Sequence, residues 1–133
     1  MDNMDKFLKK WNGKAIEDDG AYMSKEAKSF VTAFRNMLKR ELGDEYNIVQ
    51  LKAGHYYLSG FIEHDGMYVY VSYDIPRSGA AVDADAEGVN GCLYRCAEGP
   101  KDFTGGHNNF CSIRRLPECI RELFGRYKRF GFC

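Results

Sequence analysis

The chain is expected to fold as an α+β domain. The expected sheet is an antiparallel meander of three to five strands, flanked by an N-terminal and a C-terminal helix. Three observations predict it. The alternating runs 55–63 and 67–74 flank Asp65-Gly66, a dipeptide suited to the positive φ of a two-residue hairpin turn. One amphipathic stretch with its own stop and start signals lies before the strands, and another lies after them. Strands joined by tight turns must be antiparallel, and a run of strands with helices outside it is the α+β pattern.

The hairpin sets Ile62 opposite Val69, Gly60 opposite Val71 and Leu58 opposite Tyr73. A second tight turn, at Ala53-Gly54, would set Val49 opposite Leu58 and Tyr46 opposite Phe61. Alternation then divides the side chains between two faces. One face reads Val49, Leu51, Leu58, Ile62, Val69, Val71 and Tyr73. The other carries a Tyr46–Phe61–Tyr70 row, with Ile48, Tyr57 and Tyr68 beside it. Either a terminal segment covers this aromatic face as a second core layer, or the face takes a partner.

Residues 1–23 are mixed in character. Phe7, Leu8 and Trp11 fit one short helix, Glu17 to Gly20 read as a turn, and the segment is expected to pack loosely. The main helix spans 24–42. Ser24 is its N-cap, Glu26 lies in its first turn and Gly43 is its stop. Ala27, Phe30, Val31, Phe34, Leu38 and Leu42 form its apolar face, whereas Lys25, Lys28, Thr32, Arg35 and Lys39 form a stripe with no acid in it. Strands follow at 46–52, 55–63 and 67–74, and Pro76 ends the meander. Residues 77–91 read as a mobile acidic loop, 92–97 as a fourth strand, 98–109 as a loop and 110–113 as a short fifth strand. The last helix begins at Pro117 and runs to about residue 128.

A chain of 133 residues suits a single domain, 1–133. Its 19 acids and 19 bases cancel, but the signs are segregated. Residues 1–40 hold nine Lys or Arg against six acids, 41–102 hold four against eleven, and 103–133 hold six against two. Local potentials of this kind suit a charged partner. No apolar run approaches the length of a membrane span, and the first residues lack the pattern of a secretory signal. The five cysteines are therefore expected as reduced thiols.

Several motifs suggest chemistry. Asp83, Asp85 and Glu87 before Gly88 begin like a calcium loop, but Tyr94 stands where the bidentate Glu belongs. Cys92, Cys96, His107 and Cys111 could supply zinc ligands. On an extended strand, however, Cys92 and Cys96 would lie about 13 Å apart. Neither metal is expected, nor any cofactor. Thr104-Gly105-Gly106-His107-Asn108-Asn109 is the most site-like loop, able to form an anion nest or a structural turn. His107 with Cys111 or Asp102 could make a nucleophile pair, but no local signature accompanies it, and an enzyme is the lesser expectation. The stripe Lys25, Lys28, Arg35 and Lys39 would span roughly 21 Å of helix.

Three segments carry a resemblance. They are Gly54-His55-Tyr56-Tyr57-Leu58-Ser59-Gly60-Phe61, Leu93-Tyr94-Arg95-x-Ala97, and Lys101-Asp102-Phe103-Thr104-Gly105-Gly106-x-Asn108-Asn109-Phe110. Over about residues 25–120 the chain resembles small uncharacterised proteins of phages and conjugative elements of Gram-positive bacteria. The resemblance carries no catalytic residues across. It implies a cytoplasmic accessory protein of a mobile element, of the kind that includes anti-CRISPR and other anti-defence inhibitors. The expectation is a non-enzymatic protein that binds, and so inhibits, a host nuclease or defence nucleoprotein complex. The alternatives are a small nucleic-acid-binding protein using the basic helix and the aromatic sheet face, and a small enzyme centred on the Gly-Gly-His loop. Candidate contact residues are Lys25, Lys28, Arg35, Lys39, Tyr46, Phe61, Tyr70, Gly105, Gly106 and His107. No membrane partner is expected, and the oligomeric state stays open.

Overall fold

The structure, a computed structural model, describes residues 2–16, 24–54, 56–77 and 79–133. The turn expected at 17–20 and His55, the first residue of the expected second strand, lie outside the described residues. Caps set the first two helices. The Asp2 carboxylate accepts the Asp5 amide at 2.8 Å and opens α1 (Asn3–Trp11). The Ser24 hydroxyl accepts the Ala27 amide at 3.0 Å and opens α2 (Lys25–Leu42), which ends at Gly43 with φ 91°. Five strands follow: β1 (Asn47–Ala53), β2 (Tyr57–His64), β3 (Met67–Asp74), β4 (Cys92–Ala97) and β5 (Asn109–Cys111). They form one antiparallel sheet in sequence order. The last helix, α3 (Leu116–Phe130), carries Pro117 in its first turn. The α+β expectation holds, with helices at both ends of the chain.

The β2–β3 register is the expected one. Ile62 faces Val69, Gly60 faces Val71 and Leu58 faces Tyr73. Asp65 and Gly66 take φ 52° and 79°, the double positive that this turn demands.

The β1–β2 register corrects the sequence reading. There is no tight turn at Ala53-Gly54. Ala53 pairs with Leu58, and the Gly54 amide donates to the Tyr57 carbonyl at 2.7 Å. Further along, Val49 faces Phe61 and Ile48 faces Ile62, with a bulge between Val49 and Lys52. The physical cause is Gln50, at φ 56°, a left-handed residue that no glycine announces. The bulge drives Leu51 across Gly60, where any Cβ would meet the Leu51 backbone. Leu51 is thus buried as expected, but by a different route. Val49 and Ile48 exchange faces: Ile48 packs against the core and Val49 joins the Phe61 row. Tyr46 leaves that row altogether, because it precedes the strand and stacks on His64 at 4.1 Å.

Both long helices lie on one face of the sheet. Phe34 of α2 stacks on Tyr73 at 6.0 Å, and Phe124 of α3 meets His64 at 5.5 Å. Helix α1 packs on α2, with Trp11 edge-on to Phe30 at 5.3 Å, so the N-terminal segment adds Met4, Phe7, Leu8 and Trp11 to the core. Of the two alternatives for the aromatic face, cover by a terminal helix is not met, because α1 packs on α2 and α3 lies on the same side of the sheet as α2.

Within the acidic segment, residues 82–85 are held at several points. Val82 exchanges main-chain hydrogen bonds with Gly13 and Lys14, and the Ala84 amide donates to the Asn12 side chain. Asp85 pairs with Arg114 at 2.7 Å, while the Asp83 carboxylate accepts the Asp85 amide. These carboxylates thus have protein partners. The Arg114 guanidinium holds the Asp85 carboxyl below the usual carboxylate range.

Candidate interaction surface

The face of the sheet away from the helices is built by alternation. Val49, Phe61, Tyr70 and Arg95 lie abreast across β1 to β4. Ser72 and Leu93 pair beside them, and Phe110 of β5 follows Leu93. A loop residue supplies the only ring contact from above among the described residues. Phe103 sits edge-on to Phe61 at 5.3 Å and to Tyr70 at 5.9 Å. Phe61 is consequently 1% exposed, whereas Phe103, Phe110 and Tyr57 stand 54%, 40% and 38% exposed.

Arg95 fastens that loop. Its guanidinium lies over the Tyr70 ring at 4.6 Å. It donates to the Asn108 side chain at 3.0 Å and to the Phe103 carbonyl. A planar fork that stacks and donates together is what arginine offers and lysine lacks. Arg95 and Phe103 carry no sequence signal of a contact role, although both fall in the segments that bear the resemblance.

The Gly-Gly-His loop is organised from within. The Asp102 carboxylate accepts the amides of Glu98, Thr104 and Gly105 at 2.9, 3.2 and 2.8 Å. These bonds to the charged form hold its carboxyl below the usual range, in the order Glu98, Gly105, Thr104. A Cβ on Gly105 would strike Asp102, and one on Gly106, at φ 76°, would strike the Cys96 carbonyl. The two glycines therefore serve packing, and Asp102 is engaged with main-chain amides. His107 is exposed, and its amide donates to the Cys133 main-chain oxygen at 3.2 Å.

No family model, curated protein or solved structure matches the chain.

The cysteines divide into two places. Cys92 and Cys111 pair across β4 and β5 on the helix side, where Cys119 of α3 also lies buried. Burial, and then the neighbouring thiols, push the Cys92 and Cys111 pKa values up, so both stay protonated. Cys96 instead contacts Cys133, sulfur to sulfur, at 3.1 Å, and burial pushes its pKa up to about 12. His107 joins neither place. Among the described residues no group of three His, Cys, Asp or Glu could hold a metal ion.

The basic stripe lies on the other side of the molecule. Lys25, Lys28 and Lys39 are exposed on α2, facing away from the sheet, and Arg35 donates to the Leu51 carbonyl of β1 at 3.1 Å. The stripe and the aromatic face therefore belong to opposite layers, and no flat ligand meets both.

Proposed function

We propose that the chain is a non-enzymatic binding protein, a mobile-element accessory that holds a host nuclease or defence complex by the helix-free face of its sheet. One observation carries this reading: a two-layer fold leaves an aromatic sheet face with a single loop ring above it. A sheet normally buries both faces, and an apolar patch left open marks an interaction site. The type of partner follows from the surroundings. Lys52 and Arg95 on this face are matched by Glu63 and Asp74. A face with balanced charge and the exposed rings of Tyr57, Phe103 and Phe110 suits a protein surface, where aromatic residues are the usual anchors. The resemblance to phage and conjugative-element proteins supplies the class of target.

The test is a plasmid-interference assay in bacteria armed in turn with different CRISPR nucleases. Expression of the wild-type chain should lower interference by at least one of them. The Tyr57→Glu/Phe110→Glu variant, with native circular dichroism and melting, should leave interference intact. Full inhibition by that variant would remove the sheet face from the reading. A wild-type chain inert against every nuclease would remove the inhibitor role.

A further inference from the structure

A second surface stands apart from the sheet face and does not depend on it. The described residues leave three depressions of about 220, 420 and 290 Å³ around the exposed side of α2, and each shares Asn36 with the next. Together they make a trough that starts between α1 and α2, crosses α2 and ends at the start of β1. Lys6 and Lys10 stand on its α1 wall and Arg40 faces them from α2. Lys39 continues it, and Arg35 lies at the β1 end. Asp44 is the single carboxylate among the lining residues, against those five cations. None of the five is ion-paired among the described residues.

We propose that this trough holds the phosphate backbone of double-stranded nucleic acid. Charge complementarity calls for an anion, and the lining narrows the choice. Of the aromatic and Met side chains that line it, Phe7, Trp11 and Met37 are all but buried, at 5%, 2% and 2% exposure, and the half-buried Tyr46 ring is already stacked on His64 at 4.1 Å. They offer no apolar pocket to anchor an acidic peptide, and a protein partner needs such an anchor. Nor do they offer a free ring on which an unstacked base could lie. What remains is a run of donors, Lys, Arg and Asn, spread over two helices. Repeated phosphates satisfy that pattern, with affinity from counterion release and no reading of sequence.

Fluorescence anisotropy with a labelled DNA duplex of mixed sequence tests this, in a salt series from low to physiological strength. The full chain should bind with a log–log salt slope of up to about 4.5, roughly 0.9 for each of five phosphates. Lys6→Gln/Lys10→Gln/Arg40→Gln alters exposed side chains only and should weaken binding at least tenfold while flattening the slope by about 2.7. Lys25→Gln/Lys28→Gln, on α2 outside the trough, should change affinity less than twofold. Duplexes of unrelated sequence should bind alike. The Tyr57→Glu/Phe110→Glu variant should bind the duplex as the wild type does, which separates failure of the sheet face from failure of the trough. No binding by the wild-type chain at low salt would overturn the proposal. So would equal binding by the triple variant, or poly-glutamate binding more tightly than the duplex.

Discussion

The two faces of the sheet are made by the same strands, one residue apart, and they differ in what covers them. Leu58, Ile62, Val69 and Val71 lie under two helices with essentially no exposure. Phe61, between Gly60 and Ile62, is just as buried, but one loop and the guanidinium that ties it down do the covering. The helix side gains its burial from elements with their own hydrogen bonds and many neighbours. The loop side gains it from one ring whose position depends on Arg95 and Asp102. Equal burial therefore does not mean equal stability. Local opening falls to the segment with fewer apolar contacts.

Substitutions can break or sharpen this contrast. Phe34→Ala empties a fully buried site between α2 and Tyr73 and should cost about 3–5 kcal/mol in urea unfolding. Phe61→Ala removes the same ring from the other face. Its cost should be about 2–3 kcal/mol, because the loop above can settle into the space. If the two costs are equal, the loop is as firm a cover as the helices. Arg95→Ala should cost about 1–2 kcal/mol through its charge-assisted bonds, and hydrogen exchange should quicken in residues 98–109 but not in α2 or α3. Tyr57→Glu/Phe110→Glu should stay within about 0.5 kcal/mol per site, as exposed positions do.

Acid adds a graded test on the loop side. Asp102 is held by the amides of Glu98, Gly105 and Thr104, and Glu63 by the Gly66 amide and then the Asn47 side chain. Both carboxyls have folded pKa values below their unfolded ones. Their contribution is complete above the unfolded values, near pH 4, and is lost as pH falls through the folded ones. Thermal melting should hold from neutrality to about pH 4.5 and decline below that. Asp102→Asn should remove part of the decline.

Much of the covered face was legible because it obeys periodicity. The spacing of Phe30, Phe34 and Leu38, the Ser24 cap and the Asp65-Gly66 turn each specify local geometry, and tertiary packing agrees with them. The β1 register was not legible. Gln50 takes a conformation that its side chain does not advertise, and the usable signal was Gly60, a glycine inside a strand. Of the candidate contacts, Phe61 and Tyr70 share one surface as expected, whereas Tyr46 joins His64 and Phe124. Phe103 sits in an aperiodic loop, and only the fold shows what lies beneath it. Lys6, Lys10 and Arg40 come from two helices whose mutual orientation is a packing outcome. The stripe on α2 could be read from sequence, but the trough beside it could not.

The bulge in β1 has a bearing on how copies of this chain meet one another. An edge strand presents unpaired amides and carbonyls that invite a further strand. Here the ladder is interrupted between Val49 and Lys52, and the Leu51 carbonyl within the interruption is already taken by the Arg35 guanidinium. A strand arriving from another molecule would find its register broken at mid-length and a fixed positive charge in place of an acceptor. The left-handed residue that displaces β1 from its simple register also blunts the edge where fibre-like growth of the sheet would otherwise begin.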